Sequence, residues 1–291
     1  MMKPKSIFSN WNTFEQRVLS RGGLAIGLDF DGTLAAIVKD PGKAAMSART
    51  RKALESLAEV CVRRPLAARR GRSAGSGGGL TLLAVISGRS LPDVRRLVKI
   101  PGIVCSGNHG LEIDGPGIKF RHRKGLALSK PLGRMARRLS RAMRNYPGCG
   151  VNNKRFSISV HYRNARPSDM PGIRRAVRLQ ALAASRVRGQ AGTEAPFRIL
   201  EGKKVYEIRP RLRWDKGDAF ETLLRRFGRG RLPVFIGDDT VDEGAFRKTV
   251  QMGGVAIRVQ ASGESRAPYY LSRQSSVCVL LERILALTRR F

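Results

Sequence analysis

Asp29-Phe30-Asp31-Gly32-Thr33 follows directly on the apolar run Leu24 to Leu28, and no other stretch of this 291-residue chain narrows its fold as much. An apolar run of that length reads as a strand. Two carboxylates spaced two apart at its end lie on the same side of the extended backbone. Both can then face one phosphate and one metal ion, one carboxylate attacking while the other moves a proton. Gly32 lets the chain turn sharply away, and Thr33 offers a hydroxyl and a backbone N–H to a phosphate oxygen. Asp and Gly are also common turn residues, so the pentapeptide alone leaves an ordinary strand-to-loop junction open.

Three later segments bear on that choice. Leu82 to Ile86 is a second buried-strand run and ends in Ser87-Gly88-Arg89, which places a hydroxyl at a strand's carboxyl end. Pro233 to Ile236 is a third run, ending in Gly237-Asp238-Asp239 and followed by Asp242-Glu243. Lys216 opens an amphipathic helix whose apolar side carries Ala219, Phe220, Leu223 and Leu224. Open parallel sheets bind ligands at the carboxyl ends of their strands, so these four segments can converge although they are far apart in sequence.

With nucleophile, hydroxyl, lysine and acidic cluster in this order, the chain resembles the haloacid dehalogenase superfamily of phosphatases. The resemblance implies an α/β fold, a Rossmann-like doubly wound parallel-sheet core with an inserted α+β cap domain. It implies that Asp29 is the nucleophile that forms an aspartyl-phosphate, that Asp31 is general acid and then base, and that Ser87 and Lys216 hold the phosphoryl group. Asp238 would complete a Mg2+ site with Asp29 and the backbone carbonyl of Asp31. Magnesium prefers oxygen ligands and keeps several waters, which suits that small ligand set.

Finer detail, in Ile86 to Arg89, Gly107 to Glu112, Ser159 to Arg163, Lys203 to Pro210 and Gly237 to Glu243, resembles the trehalose-6-phosphate phosphatases over nearly the whole chain. That resemblance implies a sugar-phosphate substrate, a trehalose product and a functional link to a trehalose-phosphate synthase. By matching positions it nominates Arg89, Asn108, His109, Glu112, Lys154, Arg163, Lys203 and Glu207 as substrate contacts. In many family members a glutamate stands two residues before the cap lysine; here that position is Asn152, which lacks the charge. A phosphatase for another sugar phosphate is therefore the alternative enzyme reading.

Each residue also has a plainer reading. His109 between Asn108 and Gly110 can simply stabilise a turn, Glu112 and Arg163 can be surface charges, and Lys216 can be a solvated first-turn lysine. Only their fit to the family pattern raises them. His161, on the polar side of an alternating strand, is left outside the candidate set.

The length suits two domains. The reading places the catalytic core at 1–118 and 208–291 and the substrate-specificity cap at 119–207. An N-terminal helix carries Phe14 and Val18. A second helix starts near Ser47, and the Arg, Ala, Gly and Ser stretch Pro65 to Gly79 reads as a loop. Cap helices are expected over Leu132 to Asn145 and Ser168 to Ala184, with strands at Phe156 to Tyr162 and Val205 to Ile208.

Charge is the feature this reading does not absorb. Lys and Arg total 56 against 22 Asp and Glu, a net of +34, and the expected cap holds 22 basic against 4 acidic residues. Arg134, Arg137, Arg138, Arg141 and Arg144 fall on one helix side opposite Met135, Leu139 and Met143. A basic binding protein for nucleic acid or another anion, with little turnover, is the third reading. It is disfavoured: an arginine-rich polar face is also what a solvated amphipathic helix presents, and no nucleic-acid motif accompanies it. Cys61, Cys105, Cys149 and Cys278 show no paired or zinc-binding spacing, and no run approaches the ~20 apolar residues of a membrane span. A soluble cytoplasmic protein is expected.

Overall fold

The computed structural model describes residues 4–63, 79–186, 196–202, 204–260 and 263–291. In chain order the elements are β1 (Lys5–Ser6), α1 (Trp11–Ser20), β2 (Gly23–Leu28), α2 (Ala48–Arg63), β3 (Gly79–Ile86), α3 (Leu91–Val98), β4 (Val104–Gly107), β5 (Glu112–Gly115) and β6 (Ile118–Arg121). There follow α4 (Arg123–Met143), β7 (Gly150–Asn153), β8 (Ile158–His161), α5 (Met170–Arg186), β9 (Phe197–Gly202) and β10 (Val205–Pro210). The chain closes with α6 (Lys216–Phe227), β11 (Leu232–Gly237), α7 (Glu243–Gln251), β12 (Val255–Val259), β13 (Tyr269–Leu271) and α8 (Ser276–Thr288).

Two compact units result, Met1–Phe120 with Trp214–Phe291, and Arg121–Arg213. The first is built on a nine-stranded sheet in the order β1-β13-β12-β11-β2-β3-β4-β5-β6, parallel from β1 through β4 and turning antiparallel at β5. Its strands are apolar on both faces because both faces are covered. Ile26, Leu28, Val85, Val234 and Ile257 pack with Phe14, Leu57, Val94 and Ile284 of α1, α2, α3 and α8. The alternate residues Ala25, Ala84, Phe235 and Ala256 pack with Phe220 and Leu223 of α6 and Phe246 of α7. This two-sided burial is the doubly wound α/β arrangement that the continuous apolar runs anticipate.

The second unit has a four-stranded antiparallel sheet in the order β7-β8-β10-β9. Ile158, Val160, Tyr206 and Ile208 cover one face with Leu132, Leu139 and Met143 of α4 and Ile173 and Val177 of α5. Because β10 pairs with β8 as far as Ile208 and with β9 as far as Pro210, the chain returns to the first unit at Arg213–Trp214, beyond the expected Glu207.

Two local differences have physical causes. Helix α4 starts at Arg123, capped by His122 Nδ1 accepting from Gly125 N–H at 3.1 Å, and runs through Pro131. The expected start at Leu132 left out the turns before that proline. Burial of Gly125, Leu128, Leu132 and Met135 along one stripe outweighs the hydrogen bond Pro131 cannot donate. At α2 the expected cap is present, Ser47 Oγ accepting from Thr50 N–H at 3.1 Å. The stretch Pro65 to Gly79 lies outside the described residues except Gly79, which opens β3. No helix among the described residues is long and apolar enough to cross a membrane.

Candidate active site

The first site is assembled at the carboxyl ends of β2 and β11. Asp29 follows β2, is buried, and donates its N–H to Ile236 O of β11 at 2.9 Å. Helix α6 supplies the lysine. Asp215 Oδ1 accepts from Gly217 N–H (2.7 Å) and Asp218 N–H (3.1 Å), while Asp218 Oδ2 accepts from Asp215 N–H (2.7 Å). This capping box fixes the first turn, and with it the buried side chain of Lys216.

Lys216 Nζ lies 2.7 Å from Asp29 Oδ1 and 2.7 Å from Asp242 Oδ1. Asp242 is fully buried, and its Oδ2 accepts from the N–H groups of Asp238 (3.1 Å) and Asp239 (3.2 Å). Asp242 thus ties the lysine to the loop that carries Asp238. Gly32 has φ +81°, and a Cβ there would lie 2.0 Å from the Asp238 carboxylate, so this turn admits no side chain.

Three carboxylates gather around one ammonium in a buried pocket, and burial sets how readily they ionise. Burial pushes the Asp29 carboxyl well above the usual range, with Lys216 pulling against it. Asp238 is pushed up to about 6 by burial and then by the charge of Asp242. Burial alone would lower Lys216, but Asp242 and Asp29 outweigh it and hold the ammonium above its ordinary value. Asp29, Asp238 and Asp242 each bring a carboxylate oxygen within 4.8 Å of the others, a donor set of hard oxygens that could hold a metal ion. Both Asp242 oxygens already have partners, which leaves Asp29 and Asp238 as the better-suited ligands.

Asp31 and Arg89 form the second cluster. Arg89 Nε and Nη2 donate to the two Asp31 oxygens at 2.6 Å each, and Nη1 donates to Pro41 O at 2.8 Å. The guanidinium also lies 5.6 Å from the centroid of the Phe30 ring. Ser87 is buried, its Oγ accepting from Arg89 N–H at 3.2 Å. His109 N–H donates to Ser87 O at 2.9 Å, and a Cβ on Gly88 would lie 2.5 Å from the His109 ring. Asn108 Nδ2 donates to Glu112 Oε2 at 3.0 Å, both side chains buried. Arg89, nominated as a substrate contact, is therefore the bidentate partner of Asp31 here.

The remaining candidates belong to the second unit. Glu207 sits opposite Ser159, and Ser159 opposite Asn152, so all three point to the face away from α4 and α5. Lys154 Nζ is 3.3 Å from Glu207 Oε1, and Arg209, on the same face, pairs with Glu207 Oε2. Arg163 is exposed just beyond β8. Lys203 lies outside the described residues. Two participants were missed. Asp242 follows Asp238 by four in a run already rich in acids, and Arg209 follows Glu207 by two on a strand, the period that puts two side chains on one face.

A family model described as trehalose-phosphatase matches residues 79–275, about two thirds of the chain. The chain belongs to the trehalose-phosphatase family. It is 34% identical over 279 residues to a Mycobacterium tuberculosis protein described as an uncharacterized glycosyl hydrolase, covering 92% of this chain and 19% of that one. It is 33% identical over 273 residues to the probable trehalose-phosphate phosphatase D of Arabidopsis thaliana, covering 89% of this chain and 66% of that one. The chain thus spans about a fifth of the first relative's length and just under two thirds of the second's. Among solved structures, the C-terminal domain of Candida albicans trehalose-6-phosphate phosphatase superposes with a TM-score of 0.68 at 17% identity, over 98% of both chains. The fold is the one shared with haloacid dehalogenase-like hydrolases.

Proposed function

We propose that this trehalose-phosphatase family chain hydrolyses trehalose 6-phosphate to trehalose and inorganic phosphate through an aspartyl-phosphate on Asp29. The observation that carries the reading is the buried Asp29, Lys216 and Asp242 triad beside Asp238.

In the first step an Asp29 oxygen bonds to phosphorus, the bond from phosphorus to the sugar oxygen breaks, and Asp31 delivers a proton to the departing sugar. In the second step Asp31 takes a proton from water, the water oxygen bonds to phosphorus, and the bond to Asp29 breaks. Lys216, steadied by Asp242, and the Ser87 hydroxyl hold the phosphoryl oxygens while charge shifts between them. A phosphate oxygen competes with Asp31 for the Arg89 guanidinium, which frees Asp31 for proton transfer. Mg2+, held by Asp29, Asp238 and the Asp31 carbonyl, would neutralise phosphoryl charge.

Unit Arg121–Arg213 is the specificity cap in this reading, its polar sheet face with Lys154, Glu207 and Arg209 binding sugar hydroxyls, together with Arg163 and Lys203. Asn108, His109 and Glu112 contribute from the core. A synthase that makes the phosphate ester is the functional partner. The four cysteines are free, three of them buried, which suits a reducing cytoplasm. The test is phosphate release from trehalose 6-phosphate, glucose 6-phosphate and sucrose 6-phosphate, with Mg2+ and with chelator. Metal-dependent preference for the trehalose ester is the expected result. Preference for another ester would keep the chemistry and overturn the substrate, with Asn152, uncharged on the polar sheet face, the first residue to examine.

A further inference from the structure

Helices α4 and α5 pack side by side on one face of the antiparallel sheet, and neither contains an Asp or Glu. All seven Lys and Arg of α4 are exposed, as are Arg174, Arg175 and Arg178 of α5. Among the described residues none of these side chains is paired with a carboxylate. In the core, by contrast, Lys248 bridges Asp218 and Glu221 at 2.6 and 2.5 Å, and Arg225 pairs with Glu221. Ten cations without a carboxylate partner are thus gathered on one two-helix surface.

We propose that this arginine layer binds the phosphodiester backbone of duplex nucleic acid without reading its sequence. Guanidinium forks match phosphate oxygens, and Arg134, Arg137, Arg138 and Arg141 recur every three to four residues, about 5 Å apart along the helix. Such a row gains affinity from the counterions a duplex releases. Two observations favour a duplex over other polyanions. The apolar stripe of α4, Leu128, Leu132, Met135 and Leu139, is already buried against the sheet, which leaves only the scattered Leu126, Leu179 and Leu182 of the two helices exposed, not the continuous apolar face that would sink into a lipid surface. Of the unit's five aromatics, Phe156, Tyr162, Phe197 and Tyr206 are buried and Tyr146 is half-buried, which leaves no row of rings to stack on the bases of a single strand.

The test compares two variants of the full chain that each remove five positive charges. One is R137Q/R138Q/R141Q/R175Q/R178Q, in the arginine layer. The other is K52Q/R247Q/R266Q/R273Q/R289Q, at exposed core positions. Binding of a fluorescent 25-base-pair DNA duplex is followed by anisotropy between 50 and 300 mM salt, alongside vesicles rich in anionic lipid, and thermal melts confirm that both variants fold. The wild-type plot of log affinity against log salt is expected to have a slope of about −5 or steeper. The layer variant should lose more than half of that slope and at least about 100-fold in affinity at 100 mM salt, the core variant less than about 5-fold. Equal losses in the two variants would show that net charge alone is responsible, and no wild-type binding at 100 mM salt would likewise overturn the proposal. Tighter binding to vesicles than to the duplex, weakened by the layer variant, would reassign the surface to membranes.

Discussion

The core and the inserted unit treat charge in opposite ways. Residues 121–213 hold 24 Lys and Arg against 4 Asp and Glu, whereas the remainder holds 32 against 18. In the core the buried charges are matched: Lys216 with Asp29 and Asp242, Arg89 with Asp31, and Arg258 with Glu243. A buried charge without a partner costs several kcal/mol, so these contacts are fixed in place, and fixed charge is what a phosphoryl-transfer site requires. The insert buries little charge. It keeps one compact polar cluster around Glu207 on its open sheet face, and most of its other described cations are exposed. Charge in the core is paired and buried, and charge in the insert is mostly exposed.

That contrast is most directly broken at Asp29. Asp29→Asn should lower the rate of phosphate release by about 10⁴-fold or more while leaving the fold intact, as measured by steady-state kinetics with circular dichroism as the control. The next largest effect is at Asp242. Asp242→Ala leaves Lys216 with one carboxylate and two backbone N–H groups without an acceptor. It should cost about 3–5 kcal/mol in urea unfolding and also slow turnover.

Metal and pH sharpen the comparison further. Asp238 titrates near 6 in the folded chain, above its ordinary value near 3.8, so between those values the native state holds a proton that the unfolded chain has lost. The stability this contributes is fully present below about pH 4 and is lost as pH rises through 6. A divalent cation must displace that proton, so stabilisation by Mg2+ in thermal melts should grow from pH 5 to pH 7 and vanish in Asp238→Asn. The smallest effect belongs to the insert. Glu207→Gln should raise KM for the sugar phosphate about 10-fold with kcat nearly unchanged, because Glu207 contributes to binding and not to the reacting bonds.

Much of the core was legible because parallel strands buried on both faces leave continuous apolar runs, and the polar residues ending those runs are visible as interruptions. Asp29 and Asp238 were singled out in that way and Lys216 by its place at the start of an amphipathic helix, and the structure brings the three side chains together. Asp242 was named in the same acidic run but given no role, since its contacts involve a lysine 26 positions earlier and backbone N–H groups that no pattern displays. Arg89 was assigned to substrate from its match to the family pattern, and nothing in sequence indicates that Asp31, 58 positions away, would accept from two of its nitrogens. The insert was harder to read. Its strands are short, β7 and β9 carry little apolar alternation, and α4 begins nine residues before the expected Leu132. His161, left aside as an exposed strand residue, lies in the row between Gly150 and Val205 on the same face as Glu207, and its imidazole is held below the ordinary value by burial and then by Lys154.

The central claim is that Asp29 carries the phosphoryl group. Acid quenching of the enzyme during turnover of trehalose 6-phosphate, followed by peptide mass spectrometry, tests it directly. The account predicts a phosphoryl adduct on Asp29 that is absent from the Asp29→Asn variant and from enzyme treated with chelator. Turnover that continues with no phosphorylated peptide, or an adduct on any other residue, would contradict it.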